Sequence, residues 1–239
     1  MIKASGISKT FTQPDGKPFN ALVDIDLEID TGELVVIGGE NGSGKSLLMK
    51  ILADLEQPTK GKVERSSRIG LVFQDADAQI LADTPLEDVL FGMKARKGKE
   101  RDAAKAKALE ALRQVGLDGK ADSSSHFLSG GEKRRLAIAS ILALGRDTIV
   151  FDEPYSNLDY NGVRSVNAII EKLKQEGMTI LILTHELEKC LALADRFLVL
   201  HQGRLVFDGK PVQALSLDLE SWGIRNPAPD GDLEALVWR

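Results

Sequence analysis

The chain has 239 residues, 43% apolar and 28% charged, with 31 Lys+Arg against 36 Asp+Glu and a formal charge of −5. That balance is ordinary for a globular protein with mass enough for one substantial core, and the mild acidity argues against nucleic acid as a partner. One cysteine excludes an intrachain disulfide framework and suits a reducing cytoplasm; no apolar run approaches the roughly 20 residues that cross a bilayer, and Met1-Ile2-Lys3-Ala4-Ser5-Gly6 lacks a secretory pattern, so any membrane role is expected to act through a partner.

The first third reads as β-rich. Pro14-Asp15-Gly16 predicts a turn, since Pro presets φ and Gly tolerates positive φ. Beyond it Ile25, Leu27 and Ile29 alternate with Asp26, Glu28 and Asp30, the period of a half-buried strand. Leu34-Val35-Val36-Ile37, Ile149-Val150-Phe151, Ile180-Leu181-Ile182-Leu183 and Phe197-Leu198-Val199-Leu200 are instead continuous apolar runs. Strands apolar on both faces belong in a sheet covered on both sides, usually parallel, and the helical stretches between them predict an α/β architecture.

From about residue 75 to 145 helical signals dominate, with Pro85 at a helix start and a run rich in Ala, Lys and Leu over 100–115. A helical lobe inserted into the α/β body is expected. Lys94, Arg96, Lys97, Lys99 and Arg101 read as a solvated linker within it. After Leu215 the sequence turns acidic and turn-rich, the pattern of a surface extension. Cys190, among Leu187, Leu191 and Leu193, reads as a small core residue, and His126 and His201 read as structural.

Gly39-Glu40-Asn41-Gly42-Ser43-Gly44-Lys45-Ser46 directly follows the run at 34–37 and precedes a helical stretch at 47–55. This is a P-loop in its required strand–loop–helix setting. Gly42 and Gly44 let backbone N–H groups converge on phosphate oxygens at the positive end of a helix. Lys45 can reach the β- and γ-phosphates, and the Ser46 hydroxyl can ligate Mg²⁺. Nucleotide binding follows.

Later segments narrow the kind of nucleotide chemistry. Leu128-Ser129-Gly130-Gly131-Glu132 contains a Ser-x-x-Glu capping box for a helix over 133–144. Capping leaves the two glycines unexplained, because they weaken a helix start unless something must approach closely. In Thr148-Ile149-Val150-Phe151-Asp152-Glu153-Pro154 an apolar strand delivers two adjacent acids, which is costly unless they serve a site. Asn157-Leu158-Asp159 follows, where Asp159 could also simply cap a helix. His185 stands at the end of the run at 180–183, Gln74 ends the apolar run at 69–73, and Phe11 precedes the Pro14 turn.

Taken together, residues 2–215 resemble the ATP-binding subunits of ABC transporters. The resemblance implies a P-loop NTPase core with a mixed sheet, an N-terminal antiparallel β subdomain and an inserted α-helical subdomain. It assigns an ATP-binding domain to 1–215, with the helical part at about 75–145 and a C-terminal extension at 216–239. ATP and Mg²⁺ are the implied ligands, held by Gly39, Glu40, Asn41, Gly42, Ser43, Gly44, Lys45, Ser46 and Leu47, the last standing where the family often has Thr. Asp152, Ser46 and Gln74 are implied to serve Mg²⁺, and Glu153 to act as general base on the attacking water. His185 would touch the γ-phosphate, and Phe11 would stack on adenine unless it merely fills core. Ser129, Gly130, Gly131 and Asp159 match the loops that meet the nucleotide of an opposing protomer, which requires a dimer. Glu132 stands where Gln is usual and would set a carboxylate near that nucleotide.

Val72-Phe73-Gln74-Asp75-Ala76-Asp77-Ala78-Gln79-Ile80 and Glu87-Asp88-Val89-Leu90-Phe91-Gly92 resemble the ATPases of energy-coupling factor importers, with Ala76 where Pro is usual. Such importers take up vitamins or transition-metal ions, and this stretch would line the groove for a helix of the transmembrane subunit. Only 38 residues follow His201, fewer than in relatives with a further C-terminal dimerisation region; a shorter, biotin-type relative fits better. The implied protein is a transport motor: a homodimer, or a heterodimer with a homologous ATPase, on integral membrane subunits at the cytoplasmic face of the cell membrane. A non-transport ABC ATPase of repair or translation is the alternative. It is opposed by the single P-loop, the lack of long heptads and the negative charge, and Glu153 opposes a regulator without turnover.

Overall fold

A computed structural model describes residues 1–93, 99–236 and 238. Strand β1 (Ile2–Thr12) turns through Pro14, Asp15 and Gly16, the last at φ 81°, into antiparallel β2 (Pro18–Ile29). Ile25, Leu27 and Ile29 are buried while Asp26, Glu28 and Asp30 are exposed, as their alternation predicts. Next come β3 (Leu34–Gly38), helix α1 (Lys45–Leu52) and β4 (Lys60–Arg65). Strand β4 pairs antiparallel with the free side of β1, giving a three-stranded sheet of order β2-β1-β4.

After β5 (Ile69–Val72) the chain forms α2 (Pro85–Gly92), α3 (Lys99–Gln114) and α4 (Gly130–Leu142), which pack on one another. Pro85 sits at the first turn of α2, where its missing N–H costs nothing, and the Thr84 hydroxyl accepts from the Glu87 amide at 3.3 Å. Helix α3 buries Ala104, Ala108, Ala111 and Leu112, a stripe at helical spacing against the other two. Of the basic cluster, Arg101 is exposed on α3, and Lys94, Arg96 and Lys97 lie outside the described residues.

The chain then alternates β6 (Thr148–Asp152), α5 (Tyr160–Gln175), β7 (Thr179–Leu183) and β8 (Arg196–His201), before β9 (Arg204–Gly209) and α6 (Pro211–Ala214). A six-stranded sheet of order β5-β6-β7-β3-β8-β9 results, parallel except for β9. The continuous apolar runs are its inner strands. Leu34, Val36, Ile180, Ile182, Phe197 and Val199 face one core, and Val35, Ile37, Leu181, Leu183, Leu198 and Leu200 face the other. Parallel pairing brings the C-terminal ends of β3, β6 and β7 to one edge, the place where open α/β sheets hold ligands.

Cys190 is fully buried, as a core residue should be. The segment after Leu215 is not a mere surface extension: Leu219, Ile224 and Ala228 are buried in the main core, and Trp222 lies 6.4 Å from the Phe207 ring. Its acidic residues Asp218, Glu220, Asp230 and Asp232 are indeed exposed, but its apolar anchors follow no helical or strand period and so leave no pattern to read.

Candidate ATP-binding site

The loop after β3 owes its shape to close packing. A Cβ on Gly39 would stand 2.2 Å from the Leu200 carbonyl, and one on Gly44, at φ 104°, 2.7 Å from Leu22. Gly42, at φ 82°, has open space before it. Helix α1 begins at Lys45, two residues earlier than its apolar run suggests. The Lys45 ammonium donates to the carbonyls of Gly39 at 2.7 Å and Glu40 at 3.0 Å. Burial lowers the pKa of this amine, opposed by the nearby charges of Glu153, Asp152 and Glu40.

A cleft of about 520 Å³ opens over the loop, lined by Asn41, Gly42, Gly44, Lys45, Ser46 and Leu47 together with Gln74, Glu153 and His185. Phe11 also lines it, 42% exposed, together with Phe19, its partner across β1 and β2, at 49%. Sequence reasoning named Phe11 and missed Phe19, whose place follows from strand register. Gly39, Glu40 and Ser43 shape the loop from behind. The Ser43 side chain is buried, and the Glu40 carboxylate turns to His201 at 3.4 Å, on the flank where Gly223 packs.

At the end of β6, Asp152 Oδ1 accepts from the Ser46 hydroxyl at 3.2 Å. Burial raises the Asp152 pKa; the Ser46 hydrogen bond opposes this and the Glu153 charge adds to it. Glu153 is buried at φ 46°, a left-handed conformation costly for a side chain other than Gly and typical of functional sites. Its Oε2 accepts from Thr184 Oγ1 at 2.9 Å, and His185 Nδ1 stands 2.9 Å from Oε1. Thr184 was not foreseen; nothing in a lone Thr after an apolar strand distinguishes it from a core residue.

Gln74 reaches Ser156 Oγ at 3.5 Å on the rim of the cleft. Its segment is pinned from two sides. The Gln79 side chain accepts from the Phe73 amide at 3.0 Å and donates to the Leu71 carbonyl at 3.1 Å. Arg134 on α4, almost wholly buried, donates to the carbonyls of Phe73 and of Gln74, the latter at 2.6 Å. Arg134 too was missed, since within Lys133-Arg134-Arg135 it reads as one more exposed charge.

Ser129, Gly130, Gly131 and Asp159 do not join this cleft. They line a separate one of about 390 Å³ with Glu132, Arg135, Asn157 and Gly162, and the two share no residue. The capping box is complete: the Ser129 hydroxyl accepts from the Glu132 amide at 3.3 Å and the Glu132 carboxylate from the Ser129 amide at 3.0 Å. That carboxylate is turned back onto its own helix end and paired with Lys120 at 2.6 Å. The amides of Gly130 and Gly131, first-turn donors without carbonyl partners in the helix, stay available. Asp159 caps α5 through the Gly162 amide at 2.7 Å.

A loop wrapped around a buried ammonium, with two acids facing it from the same sheet edge, is the apparatus of a P-loop ATPase. The sequence profile of the ABC transporter family matches residues 22–156; the chain belongs to that family and is one of its ATP-hydrolysing, ATP-binding subunits. It is similar to the energy-coupling factor transporter ATP-binding protein EcfA of Methanosphaera stadtmanae, 36% identical over 214 residues that cover 83% of this chain and 76% of the relative. EcfA2 of Streptococcus sanguinis is 38% identical over 224 residues, 85% and 80% of the two chains. Among solved structures, cbiO1 of Clostridium perfringens, part of the ABC transporter complex cbiONQ, aligns with a TM-score of 0.78 at 29% identity, covering 93% of this chain and 96% of that one. The dimeric ATP-binding cassette MJ0796, in a post-hydrolysis state bound to ADP and Pi, aligns at 0.77 and 29% identity, covering 88% and 99%.

Proposed function

We propose that this chain is the ATPase of an energy-coupling factor importer of vitamins or transition-metal ions, working as a head-to-tail dimer on transmembrane subunits. The separation of its two clefts carries the reading: phosphate-binding groups line one, and the capped glycine pair with its outward amides lines the other. Two copies placed head to tail bring each glycine pair against the other's phosphate loop. The dimeric state of the MJ0796 cassette supports a dimer, and the EcfA relatives support the importer. No helix among the described residues is long and apolar enough to cross a membrane; membrane subunits would hold the chain peripherally, at the cytoplasmic face.

Within each site Lys45 leaves the Gly39 and Glu40 carbonyls for the β- and γ-phosphate oxygens, and the Gly42 and Gly44 backbone lines their path. Phe11 and Phe19 cover the base. Ser46 and Asp152 offer hard oxygen donors side by side, a set that fits Mg²⁺, which would neutralise phosphate charge when bound. Glu153 takes a proton from the water attacking the γ-phosphorus, while the bond to the bridging oxygen breaks and ADP leaves. Thr184 and His185 hold the carboxylate in place, and Gln74 stands where it can orient the water. Loss of the γ-phosphate removes charge-dependent contacts across the dimer and lets it open.

Glu153→Gln tests the whole: turnover should fall to background while an ATP-bound dimer accumulates. Cys190 is buried, so new cysteines near Lys45 and Ser129 can be crosslinked with little background. Failure of these two to meet between copies on a non-hydrolysable analogue overturns the reading. Copurification with nucleic acid or ribosomes, in place of a polytopic membrane subunit, would instead support a repair or translation role.

A further inference from the structure

Glu132 stands beside the two amides through which this chain would grip the γ-phosphate of a second copy. An unpaired carboxylate there would repel a nucleotide carrying several negative charges, and in a closed, water-poor interface the repulsion would be only weakly screened. Two contacts govern that carboxylate. One oxygen accepts from the Ser129 amide at 3.0 Å, and the other meets the Lys120 ammonium at 2.6 Å. Capping occupies a lone pair but leaves the charge; Lys120 offsets it.

The geometry leaves this task to Lys120. It is the cation in ion-pair contact with Glu132 among the described residues. Arg135, on the wall of the same cleft, donates to the Val115 carbonyl at 3.3 Å. Lys120 comes from the short turn at 118–120, twelve residues earlier in the chain, and its side chain is 47% exposed against 17% for Glu132. A surface pair of this kind contributes little to folding. Its value lies in the potential it sets at the glycine pair.

We propose that Lys120 is a positioning residue for ATP-driven dimerisation: it neutralises Glu132, so that the Gly130 and Gly131 amides present an uncontested anion site to the nucleotide of the opposing copy. This rests on the head-to-tail reading above. A sequence with glutamine at 132 would keep the cap without the charge, and would have no need of a lysine at 120.

A double-mutant cycle on the Glu153→Gln chain tests it, with dimer formation followed by sedimentation as ATP is titrated. Lys120→Met should raise the ATP concentration for half-maximal dimer by about tenfold, equivalent to ~1.4 kcal/mol, and Lys120→Arg should restore it. Adding Glu132→Gln to Lys120→Met should also restore it, because no charge then remains to be offset. Unchanged ATP dependence in Lys120→Met, or a double variant as weak as Lys120→Met, overturns the proposal. If the Glu153→Gln chain itself forms no dimer with ATP, the head-to-tail reading fails instead, and the two failures are distinguishable.

Discussion

The Thr184 hydroxyl donates to Glu153 Oε2 at 2.9 Å and in turn accepts from the Glu186 amide at 3.0 Å, so the carboxylate is held by a group fully buried at the end of β7. Thr184→Val keeps the shape and removes the hydrogen bond. We expect turnover to fall about tenfold with little change in KM for ATP, the mark of an interaction that matters mainly at the transition state. Steady-state ATPase kinetics decide it; a raised KM at normal kcat would place Thr184 in nucleotide binding.

Two glycines of the phosphate loop should fail differently. In Gly39→Ala the new methyl meets a backbone carbonyl at 2.2 Å, which cannot be relieved by rotating a side chain, so we expect destabilisation of about 3 kcal/mol. Gly42→Ala meets nothing within 4 Å and bears only its φ of 82°, a strain of about 1–2 kcal/mol. Urea unfolding should rank them in that order. Gly42→Ala should nonetheless lose ATP affinity, measured by calorimetry, because its methyl stands in the cleft.

Asp152 gives a pH-dependent test. Burial raises its folded pKa above the ordinary 3.8, so the folded chain holds this proton more tightly than the unfolded one. The stabilisation is complete below about pH 3.8 and is lost as pH rises through the folded value. At neutral pH the ionised group therefore weakens the nucleotide-free protein. Asp152→Asn should raise the melting temperature at pH 7 by about 2 °C, a small figure because solvent screens a partly buried group. The gain should vanish toward pH 4, and Mg²⁺-dependent turnover should be lost. A lower melting temperature at pH 7 would contradict this.

Arg134→Met should destabilise the fold by about 3 kcal/mol, since it leaves the Phe73 and Gln74 carbonyls without their buried donor. Arg134→Lys should recover part of this. Limited proteolysis should then cut first near residue 74; resistance there would show that Gln79 alone holds the segment.

The parallel strands and the phosphate loop were legible because their signals are local: a strand buried on both faces shows an unbroken apolar run, and a phosphate cradle needs its glycines in a fixed order. The capping box was legible for the same reason. What escaped depends on approach between distant segments. Arg134 lies 61 and 60 residues from the two carbonyls it serves, Phe19 reaches the cleft through pairing with Phe11, and Thr184 is defined by a glutamate 31 positions earlier. Nor could composition reveal that Lys120 faces Glu132.

The packing of the chain's last stretch carries a practical consequence. Gly223 presses so closely on Glu40 that a Cβ there would lie 3.0 Å from its carboxylate, and Leu219, Ile224 and Ala228 are anchored in the main core. Trimming at Leu215 would therefore strip the outer wall of the phosphate loop and bare apolar core, so a shortened fragment should clump.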